Sequence, residues 1–423
     1  MAYSLRVGGS RHSNNSCNLQ PIRIHAPLTM RSSTCMLMIL TLASGLVSAS
    51  SMSENGSTNN FGVGGLVNLG NTCYLNAQLQ CIYHIPKARD LIIHSQQQKS
   101  QKRTQTQEML GLAHVFSNMQ QNNSPSSSTS TSTPTTTRVL CQVLGINPYE
   151  QQDSQEFWKL LLPELKSTPL VDLYQGAYED YVAALDGSGR ERRREEPFLD
   201  LSLDISSGSV LKSMEDTFGK PELLSEEEGN GWRPEKGADK VDALKGSLLR
   251  VPGLPSILQL HLKRFQYDWQ TDTMSKIKHR FKFPKALDLS TICTDIPKDQ
   301  DPLTVIYDLH SLVIHVGEYG SGHYYAYVRP DVRTNVWFRL DDSEVTKVKF
   351  REVCADAFGG QSSQNRESSN NNKKKGIWAR FLAFFSGDGN AYGYGGRTSC
   401  AYMVQYVRRS DIPMLYLEES KDK

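Results

Sequence analysis

One cysteine lies where a helix is predicted to begin. Cys73 follows a turn rich in glycine and asparagine, and directly after it apolar side chains recur with helical spacing over 74–82. The positive end of a helix dipole stabilises a thiolate, which is the form of cysteine that attacks a carbonyl carbon. The position fits a small buried side chain at the start of a core helix equally well, so both interpretations stay open.

A side-chain amide precedes this cysteine on the same turn. Asn68 lies five residues before Cys73, and acyl transfer needs a hydrogen-bond donor aimed at the oxyanion that develops on the carbonyl oxygen. An amide at this place could be that donor. The alternative is an Asx-type turn residue, which is the more common role of an asparagine in a turn.

A cysteine nucleophile also needs an imidazole within hydrogen-bond distance, and ten histidines compete for that role. His323 stands out because Gly320 and Gly322 precede it and a strongly alternating segment follows it. His315, in an alternating segment just upstream, is the second candidate. For any single histidine, a partly buried structural ring is the simpler interpretation.

Two acids follow the histidine at the end of an aromatic and apolar segment. The segment reads Trp337-Phe338-Arg339-Leu340-Asp341-Asp342 and comes soon after His323. A carboxylate at its end could hold the tautomer of an imidazole. The alternative is an ordinary turn of the type Asp-Asp-Ser.

The elements that must position these residues change in type along the chain. Helical spacing is found over 74–82 and again over 158–162, where Asp153 is the predicted N-cap and Pro163 the predicted end. Alternation typical of strands follows at 258–262, 305–316, 323–328 and 401–408. Helices first and strands later indicate an α+β fold, with a helical half packed against a sheet half.

Composition narrows the class of protein. The 423 residues include 47 Lys or Arg and 45 Asp or Glu, so the net charge is +2, which gives no electrostatic reason to expect nucleic acid or an anionic membrane as the main partner. The eight cysteines contain no CxxC pair and are too sparse for a disulfide scaffold. We therefore expect a reduced intracellular protein.

Several segments are predicted to lie outside a packed core. The polar stretches 95–107, 124–137 and 361–376 cannot bury enough apolar surface to offset their ordering entropy. Between the first two, the apolar stretch 109–116 could dock as a helix. The apolar run at 36–49 is shorter than a membrane span and is similar to a signal peptide that starts at an internal methionine. The alternatives are a wrongly assigned start of the chain or a short buried helix.

Taken together, five motifs resemble those of the ubiquitin-specific protease family, peptidase C19, and occur in the family's order. They are a cysteine box at 68–80, a Q-x-D-x-Q-E-F segment at 151–157, a strand at 254–265, a histidine box at 322–328 and the acidic segment at 337–342. The stretch 267–284 and the closing AYMVQYVR are similar to the herpesvirus-associated branch of that family. The resemblance covers about residues 61–410.

The resemblance implies a papain-like, hand-shaped α+β fold without a zinc knuckle. A helical thumb would carry Cys73, a β palm would carry His323 and Asp341, and β fingers at about 168–250 would grip ubiquitin. The implied activity is that of a deubiquitinase, with Cys73 as nucleophile, His323 as base and acid, Asp341 as its orienter and Asn68 as oxyanion donor.

The same resemblance implies further site residues. Asp342 would assist the oxyanion region or hold structure. The groove for ubiquitin's C-terminal tail would be lined by Asp153, Gln155, Glu156 and His315, and its acids suit a tail that carries arginines.

The expected organisation is an N-terminal extension at 1–60, a catalytic domain at 61–410 with polar insertions at about 95–137 and 361–396, and a tail at 411–423. Expected partners are ubiquitin and ubiquitinated proteins, with no cofactor, metal, nucleic acid or membrane, and the expected state is a monomer. We expect the cytoplasm or the nucleus as location, or the secretory pathway if the run at 36–49 is a genuine signal. Two other functions stay open, namely a catalytically silent ubiquitin-binding scaffold and a papain-like general protease.

Overall fold

The structure is a computed structural model that describes residues 62–97, 106–123, 133–297, 301–360 and 398–417. The signal-like run at 36–49 and the insertion at 361–396 lie outside these ranges. None of the helices within them is long and apolar enough to span a membrane.

Six helices precede the strands in the part of the chain that the structure describes. They are α1 (Cys73–Tyr83), α2 (Pro86–Ile93), α3 (Gln107–Asn122), α4 (Arg138–Val143), α5 (Ser154–Glu164) and α6 (Thr168–Tyr174). Every residue of α1 is buried, including its asparagine and glutamines. A helix that is buried on all sides lies in the interior of its domain, so the predicted nucleophile is attached to the most enclosed of these helices.

The strands follow. They are β1 (Gly176–Ala184), β2 (Glu191–Phe198), β3 (Leu201–Leu203), β4 (Glu222–Leu224), β5 (Ala243–Leu248), β6 (Ile257–Leu262), β7 (Phe265–Asp268), β8 (Thr273–Lys276), β9 (Ala286–Asp288), β10 (Ile306–Glu318), β11 (Ser321–Val328), β12 (Trp337–Asp341), β13 (Glu344–Val348) and β14 (Cys400–Arg408). Three helices lie among and after them: α7 (Val210–Phe218), α8 (Phe350–Ala357) and α9 (Ile412–Leu415). Short 3-10 turns cover His94–Gln97, Val251–Gly253, Pro302–Val305 and Arg409–Asp411.

The large sheet has the order β13-β12-β11-β10-β14-β6-β3, with β9 beside β10. A separate four-stranded sheet has the order β2-β1-β5-β4, and β7 pairs with β8 in a hairpin. Along β11, Tyr324 and Ala326 belong to the hydrophobic cluster that contains α1, whereas Tyr325 and Tyr327 belong to the cluster on the other face. This alternation is the period of two that the sequence predicts for a strand buried on both faces, and it confirms the α+β class.

The helix that follows Asp153 begins as predicted. The carboxylate Oδ1 of Asp153 accepts hydrogen bonds from the backbone N–H groups of Gln155 (2.8 Å) and Glu156 (3.1 Å), which is the role of an N-cap. The helix continues one residue beyond Pro163 and ends at Glu164. Pro163 has no N–H to donate to the carbonyl of Lys159, an exposed residue on the outer side of the helix.

Part of the stretch 124–137 is packed, so the prediction that it lies outside the core is wrong for 133–137. Thr135 pairs with Leu66 in a parallel bridge, and Thr135 and Thr137 are buried. The hydroxyl of Thr135 accepts a hydrogen bond from Asn122 (2.9 Å). A polar segment can be buried when its backbone and side chains find partners, and here they lie beside the segment that leads to Cys73. The helix predicted at 109–116 is confirmed within α3.

The predicted tail at 411–423 is also wrong for its first residues. Residues 411–417 form the end of a 3-10 turn and α9, and the side chain of Leu415 is fully buried. The hydroxyl of Tyr416 accepts a hydrogen bond from the backbone N–H of Val332 (3.4 Å). Two apolar side chains are enough to hold such a short segment on the domain.

Candidate active site

Cys73 is the first residue of α1, as the sequence predicts, and its side chain is almost fully buried. Thr72 precedes the helix, and its hydroxyl accepts a hydrogen bond from the backbone of Leu69 (3.0 Å) instead of capping α1. The first backbone N–H groups of a helix have no partner within it and form the positive end of its dipole. The thiol of Cys73 therefore lies in a field that favours negative charge.

His323 of β11 joins this thiol to a carboxylate. Its Nε2 lies 2.5 Å from Oδ1 of Asp341, and its side chain also forms a hydrogen bond with Cys73. Because Nε2 is occupied, Nδ1 is the nitrogen left for the thiol. Burial favours the neutral ring, but the hydrogen bonds and negative charges of Asp341 and Cys73 outweigh it and raise the pKa of His323 well above 6.5. The arrangement supports an imidazolium next to the side chain of Cys73.

Asp341 is held from its other side as well. Its Oδ2 accepts a hydrogen bond from Nη2 of Arg339 (2.6 Å), and both side chains are largely buried. The two oxygens of this carboxylate thus have different partners, and the carboxylate cannot rotate without losing one of them.

Asn68 and Asp342 form a second hydrogen-bonded unit beside the thiol. Nδ2 of Asn68 donates to Oδ2 of Asp342 (2.9 Å), and Oδ1 of Asn68 accepts from the backbone N–H groups of Gly70 (3.0 Å) and Thr72 (3.1 Å). The role of Asn68 as a turn residue and its predicted role as an oxyanion donor are therefore compatible. Its oxygen forms the turn, and its Nδ2 carries a second hydrogen that can serve an oxyanion.

Asp342 organises this unit from a strained backbone position. It adopts φ +51° in the turn between β12 and β13, a conformation that costs a non-glycine residue energy and persists where other contacts fix it. Its Oδ1 accepts a hydrogen bond from Asn76 of α1 (2.8 Å), and its backbone carbonyl accepts one from Leu66 (2.8 Å). Of the two predicted roles, the contacts fit a structural one, because Asp342 orients Asn68 and fixes the loop before Cys73.

The ligand atoms of His323, Asp341 and Asp342 lie within 4.8 Å of one another, the one such group of three in the described ranges. Each carboxylate in it already accepts hydrogen bonds from protein donors, namely Arg339 for Asp341 and Asn68 with Asn76 for Asp342. We interpret the group as a network for proton transfer and orientation.

A groove with a volume of about 500 Å³ lies beside this site, and Gln151 in its lining donates a hydrogen bond to the carbonyl of Gly322, the neighbour of His323 (2.8 Å). All four residues predicted to bind the tail line it, together with aromatic side chains: Asp153, Gln155, Glu156, His315, Phe265, Tyr319, Tyr324 and Tyr402. Ser321 and Tyr324 flank His323 in the sequence of β11 and line the groove, so the groove borders the strand that carries the imidazole. Its lining combines apolar rings with carboxylates.

The predicted groove residues differ in whether their polar atoms already have hydrogen-bond partners within the protein. Asp153 caps α5 with one oxygen and accepts a hydrogen bond from the hydroxyl of Tyr402 (2.5 Å) with the other. The amide of Gln155 donates to Asp200 (2.7 Å). Glu156 is exposed, so its carboxylate is the one most open to a ligand.

His315, the second candidate for the base, lies in the wall of this groove. Its ring is 2% exposed and packs against Phe265, Tyr324 and Tyr402. Burial, followed by the charges of Lys276 and His323, lowers the pKa of His315 to about 3, so the ring is neutral. The hydrogen bond to the thiol belongs to His323, and the alternative base is therefore wrong.

A family model described as ubiquitin carboxyl-terminal hydrolase matches residues 64–371. The chain belongs to this family. Ubiquitin C-terminal hydrolase 13 of Arabidopsis thaliana is 31% identical over 365 residues, which are 82% of this chain and 29% of that protein. Ubiquitin carboxyl-terminal hydrolase 15 of Schizosaccharomyces pombe is 29% identical over 359 residues, 82% of this chain and 28% of that protein. The chain thus spans less than a third of the length of these relatives.

Within this ubiquitin carboxyl-terminal hydrolase site, sequence reasoning missed the roles of Asn76 and Arg339. Asn76 lies three residues after Cys73 and shares its helix face. A buried asparagine on an otherwise enclosed helix is the signal that could have indicated a functional hydrogen bond. Arg339 precedes Asp341 by two residues in β12, so both side chains point to one face of the strand. That spacing could have indicated an ion pair.

Proposed function

We propose that the chain is a deubiquitinating cysteine isopeptidase that hydrolyses the bond after ubiquitin's C-terminal glycine, on substrate lysines or within ubiquitin chains. The observation that carries the proposal is the contact series from Cys73 through His323 to Asp341, with the amide of Asn68 beside it. The family supports the choice of ubiquitin as the substrate.

The first half of the reaction follows from these contacts. The thiolate of Cys73 attacks the carbonyl carbon of the last glycine, and the carbonyl oxygen becomes an oxyanion. The free hydrogen of the Asn68 amide stabilises this oxyanion together with backbone N–H groups at the start of α1. His323 then gives its proton to the nitrogen of the leaving lysine, the C–N bond breaks, and a thioester remains on Cys73.

The second half uses the same residues in reverse. His323, now neutral, takes a proton from a water molecule, and the resulting hydroxide attacks the thioester carbonyl. The C–S bond breaks, which releases ubiquitin with a free carboxylate and restores the thiolate opposite an imidazolium. Throughout, Asp341 keeps Nδ1 of the ring directed at the reacting atoms.

The groove supports binding of ubiquitin's C-terminal tail. Exposed Glu156 and nearby Asp153 provide carboxylates for the arginines of that tail, and charge-assisted pairs of this kind are strong. Tyr402, already bonded to Asp153, holds the second carboxylate in place. His315 and Gln155 line the groove. The Nδ1 atom of His315 is buried and has no hydrogen-bond partner among the described residues.

The hand-shaped architecture belongs to the same proposal. In it α1 and α5 are part of the thumb, the large sheet is the palm, and the four-stranded sheet β2-β1-β5-β4 forms the fingers. Support comes from the separate pairing of that small sheet and its charged strand β2. The catalytic domain would then extend from about residue 61 to the end of α9, and similarity over 267–284 supports the herpesvirus-associated branch.

Location and assembly are proposed on the same basis. We expect a monomer in the cytoplasm or nucleus that acts on ubiquitinated proteins and has no need of a cofactor, metal, nucleic acid or membrane. Imaging a tagged full-length chain beside one that lacks residues 1–58 tests the location. Appearance of the full-length chain alone in secretory compartments would establish the run at 36–49 as a signal.

The deciding experiment uses ubiquitin with a C-terminal electrophile. The wild-type chain should form a covalent adduct, and Cys73→Ala should not. Cys81→Ala is the matched control, because Cys81 is a buried thiol of the same helix and its loss should leave labelling intact. A folded wild type that binds ubiquitin but neither labels nor cleaves it would instead be a silent scaffold, and efficient cleavage of unrelated peptides would indicate a general protease.

A further inference from the structure

The catalytic carboxylate is one member of a longer series of contacts that runs away from the thiol. Oδ1 of Asp341 faces Nε2 of His323 at 2.5 Å, and Oδ2 accepts from Nη2 of Arg339 at 2.6 Å. The side chains of Arg339 and Asp341 are 11% and 16% exposed. A charge-assisted hydrogen bond with so little water around it is strong and fixes the rotation of the carboxylate.

Arg339 in turn packs on an aromatic ring of the neighbouring strand. Its guanidinium carbon lies 4.3 Å from the centre of the Tyr325 ring, a close cation–π contact. The hydroxyl of Tyr325 donates to Oδ2 of Asp356, and so does the hydroxyl of Tyr327, at 3.0 Å. Asp356 belongs to α8 and is 4% exposed. The series therefore connects a buried carboxylate of α8 to the catalytic imidazole.

The sheet explains why these side chains meet. Tyr327 lies opposite Arg339 in the antiparallel pair of β11 and β12, and residues two apart in a strand share a face. His323, Tyr325 and Tyr327 of β11 therefore lie on the same face as Arg339 and Asp341 of β12. The alternation that builds the hydrophobic cores also assembles this polar series.

We infer that Arg339 is a positioning residue of the active site, which holds Asp341 so that His323 presents Nδ1 to Cys73. Arg339 acts on His323 through Asp341, to which it donates a hydrogen bond. The inference rests on the proposed function only where ubiquitin is used as the substrate in a kinetic assay. The effect of Arg339 on His323 and Cys73 can also be measured without ubiquitin.

Two substitutions separate positioning from folding. Arg339→Met removes the hydrogen bond and should lower kcat for a fluorogenic ubiquitin substrate by about tenfold or more, with little change in KM. Arg339→Lys keeps a donor and a charge and should restore part of that loss. Arg333→Met is the matched control, because Arg333 also pairs with an aspartate two residues away (2.8 Å) and also stacks on a tyrosine, in a different part of the molecule.

A second measurement does not need ubiquitin. The rate of Cys73 alkylation by iodoacetamide reports the thiolate, and its pH profile reports the imidazole beside it. The charged or titratable groups that face His323 include Cys73, Asp341, Asp342, His315 and the ring of Tyr325. In Arg339→Met the profile should move toward that of an unpaired thiol, and in Arg333→Met it should match the wild type.

The outcomes are distinct. A merely structural Arg339 predicts a lower melting temperature with an unchanged alkylation profile and an unchanged kcat per titrated active site, and this result would overturn the inference. If Arg339→Met does not fold, two other single variants replace it, namely Arg339→Lys and Tyr325→Leu, of which the second removes the ring that supports Arg339. Each is assayed for kcat and for the pH profile of alkylation. A wild type whose Cys73 is alkylated but which has no activity on ubiquitin would count against the proposed function. The role of Arg339 would then be decided by the pH profile of Cys73 alkylation alone.

Discussion

Asn68 donates a hydrogen bond to Asp342 at 2.9 Å, although 274 positions separate the two residues in the chain. One lies on the loop before α1 and the other in the turn after β12, so the contact joins the helical half to the large sheet next to the thiol. The amide of Asn68 is thereby fixed to the turn that directly follows Asp341, the carboxylate that faces His323.

Removing the amide should slow the chemistry more than binding. Asn68→Ala is expected to lower kcat by about 10²- to 10³-fold, the usual effect of losing one oxyanion donor, with KM nearly unchanged. Steady-state kinetics with a fluorogenic ubiquitin substrate give both constants. Asn71→Ala provides the control, because Asn71 is an exposed asparagine of the same turn that bonds to the backbone of Tyr149 (2.7 Å), and it should remain within about threefold of wild type. Equal losses in both variants would contradict the assigned role.

Asp342 should act through Asn68. Asp342→Ala is expected to lower kcat, because the amide loses its anchor, and its effect should not add to that of Asn68→Ala in a double-mutant cycle. Asp342→Asn keeps one acceptor oxygen and should be milder. Full additivity of the two alanine substitutions would show that Asp342 and Asn68 act independently.

The raised pKa of His323 has a defined consequence for pH dependence. His323 stays protonated as the pH rises through 6.5, so its contribution to stability and to the thiolate pair is fully present below 6.5 and is lost only as the pH rises through its raised pKa. Asp341→Ala removes the largest cause that raises this pKa, and the basic limb of the activity profile should shift to lower pH. A basic limb that stays in place in Asp341→Ala would contradict the pairing.

Two buried histidines should make the fold sensitive to acid. Burial lowers the pKa of His84 well below 6.5 and that of His310 to about 3, and the ring of His310 bonds to the backbone of His84 (3.3 Å) and to Gln405 (3.2 Å). The unfolded chain binds protons first below pH 6.5, so stability is lost as the pH falls toward the depressed values. Between pH 6.5 and 5 each histidine can cost up to about 2 kcal/mol of unfolding free energy.

Denaturant unfolding at several pH values measures this dependence. His310→Gln should flatten the curve between pH 5 and 6.5, although it also lowers stability at neutral pH. His114→Gln is the control, because His114 is exposed on α3, and its curve should run parallel to the wild type. A wild-type stability that does not change over this range would count against buried neutral rings.

The exposed carboxylate of the groove should contribute to ubiquitin binding. Glu156→Gln is expected to raise KM about two- to fivefold with kcat nearly unchanged, as expected for a partly solvated charge pair worth up to about 1 kcal/mol. The effect should shrink at high salt. Glu164→Gln changes an exposed glutamate at the far end of α5 and should leave KM unchanged. Equal KM values for the two variants would remove Glu156 from the binding site.

Much of this site can be predicted from sequence because its parts are local. Cys73 at a helix start, Asp153 as an N-cap and the alternation through His323 each depend on neighbours within a few residues. The contact between Asn68 and Asp342 depends on a register between distant elements, and no local pattern encodes it. The spacing of Arg339 and Asp341 indicates a shared strand face and is consistent with an ion pair, but the contact of Asp341 with His323, which gives that pair its role, again depends on distant elements.

Local polarity also misled where burial depends on partners elsewhere in the chain. The threonine-rich end of the stretch 124–137 is packed because Leu66 pairs with Thr135, a contact that composition does not reveal. His315 and His323 lie in adjacent alternating strands with similar surroundings in sequence. Only the contacts with Cys73 and Asp341 distinguish His323, the proposed base, from His315, which lines the groove.

The complete burial of α1 makes the position of Cys73 relative to His323 depend on the packing of the interior. Cys73 cannot move away from His323 unless the helix at the centre of the helical half moves with it. Damage that loosens this core, such as a truncated side chain beside α1, should therefore appear first as lost turnover, before the bulk of the chain unfolds. Under the proposed function, a loss of turnover would therefore report a loss of packing around α1.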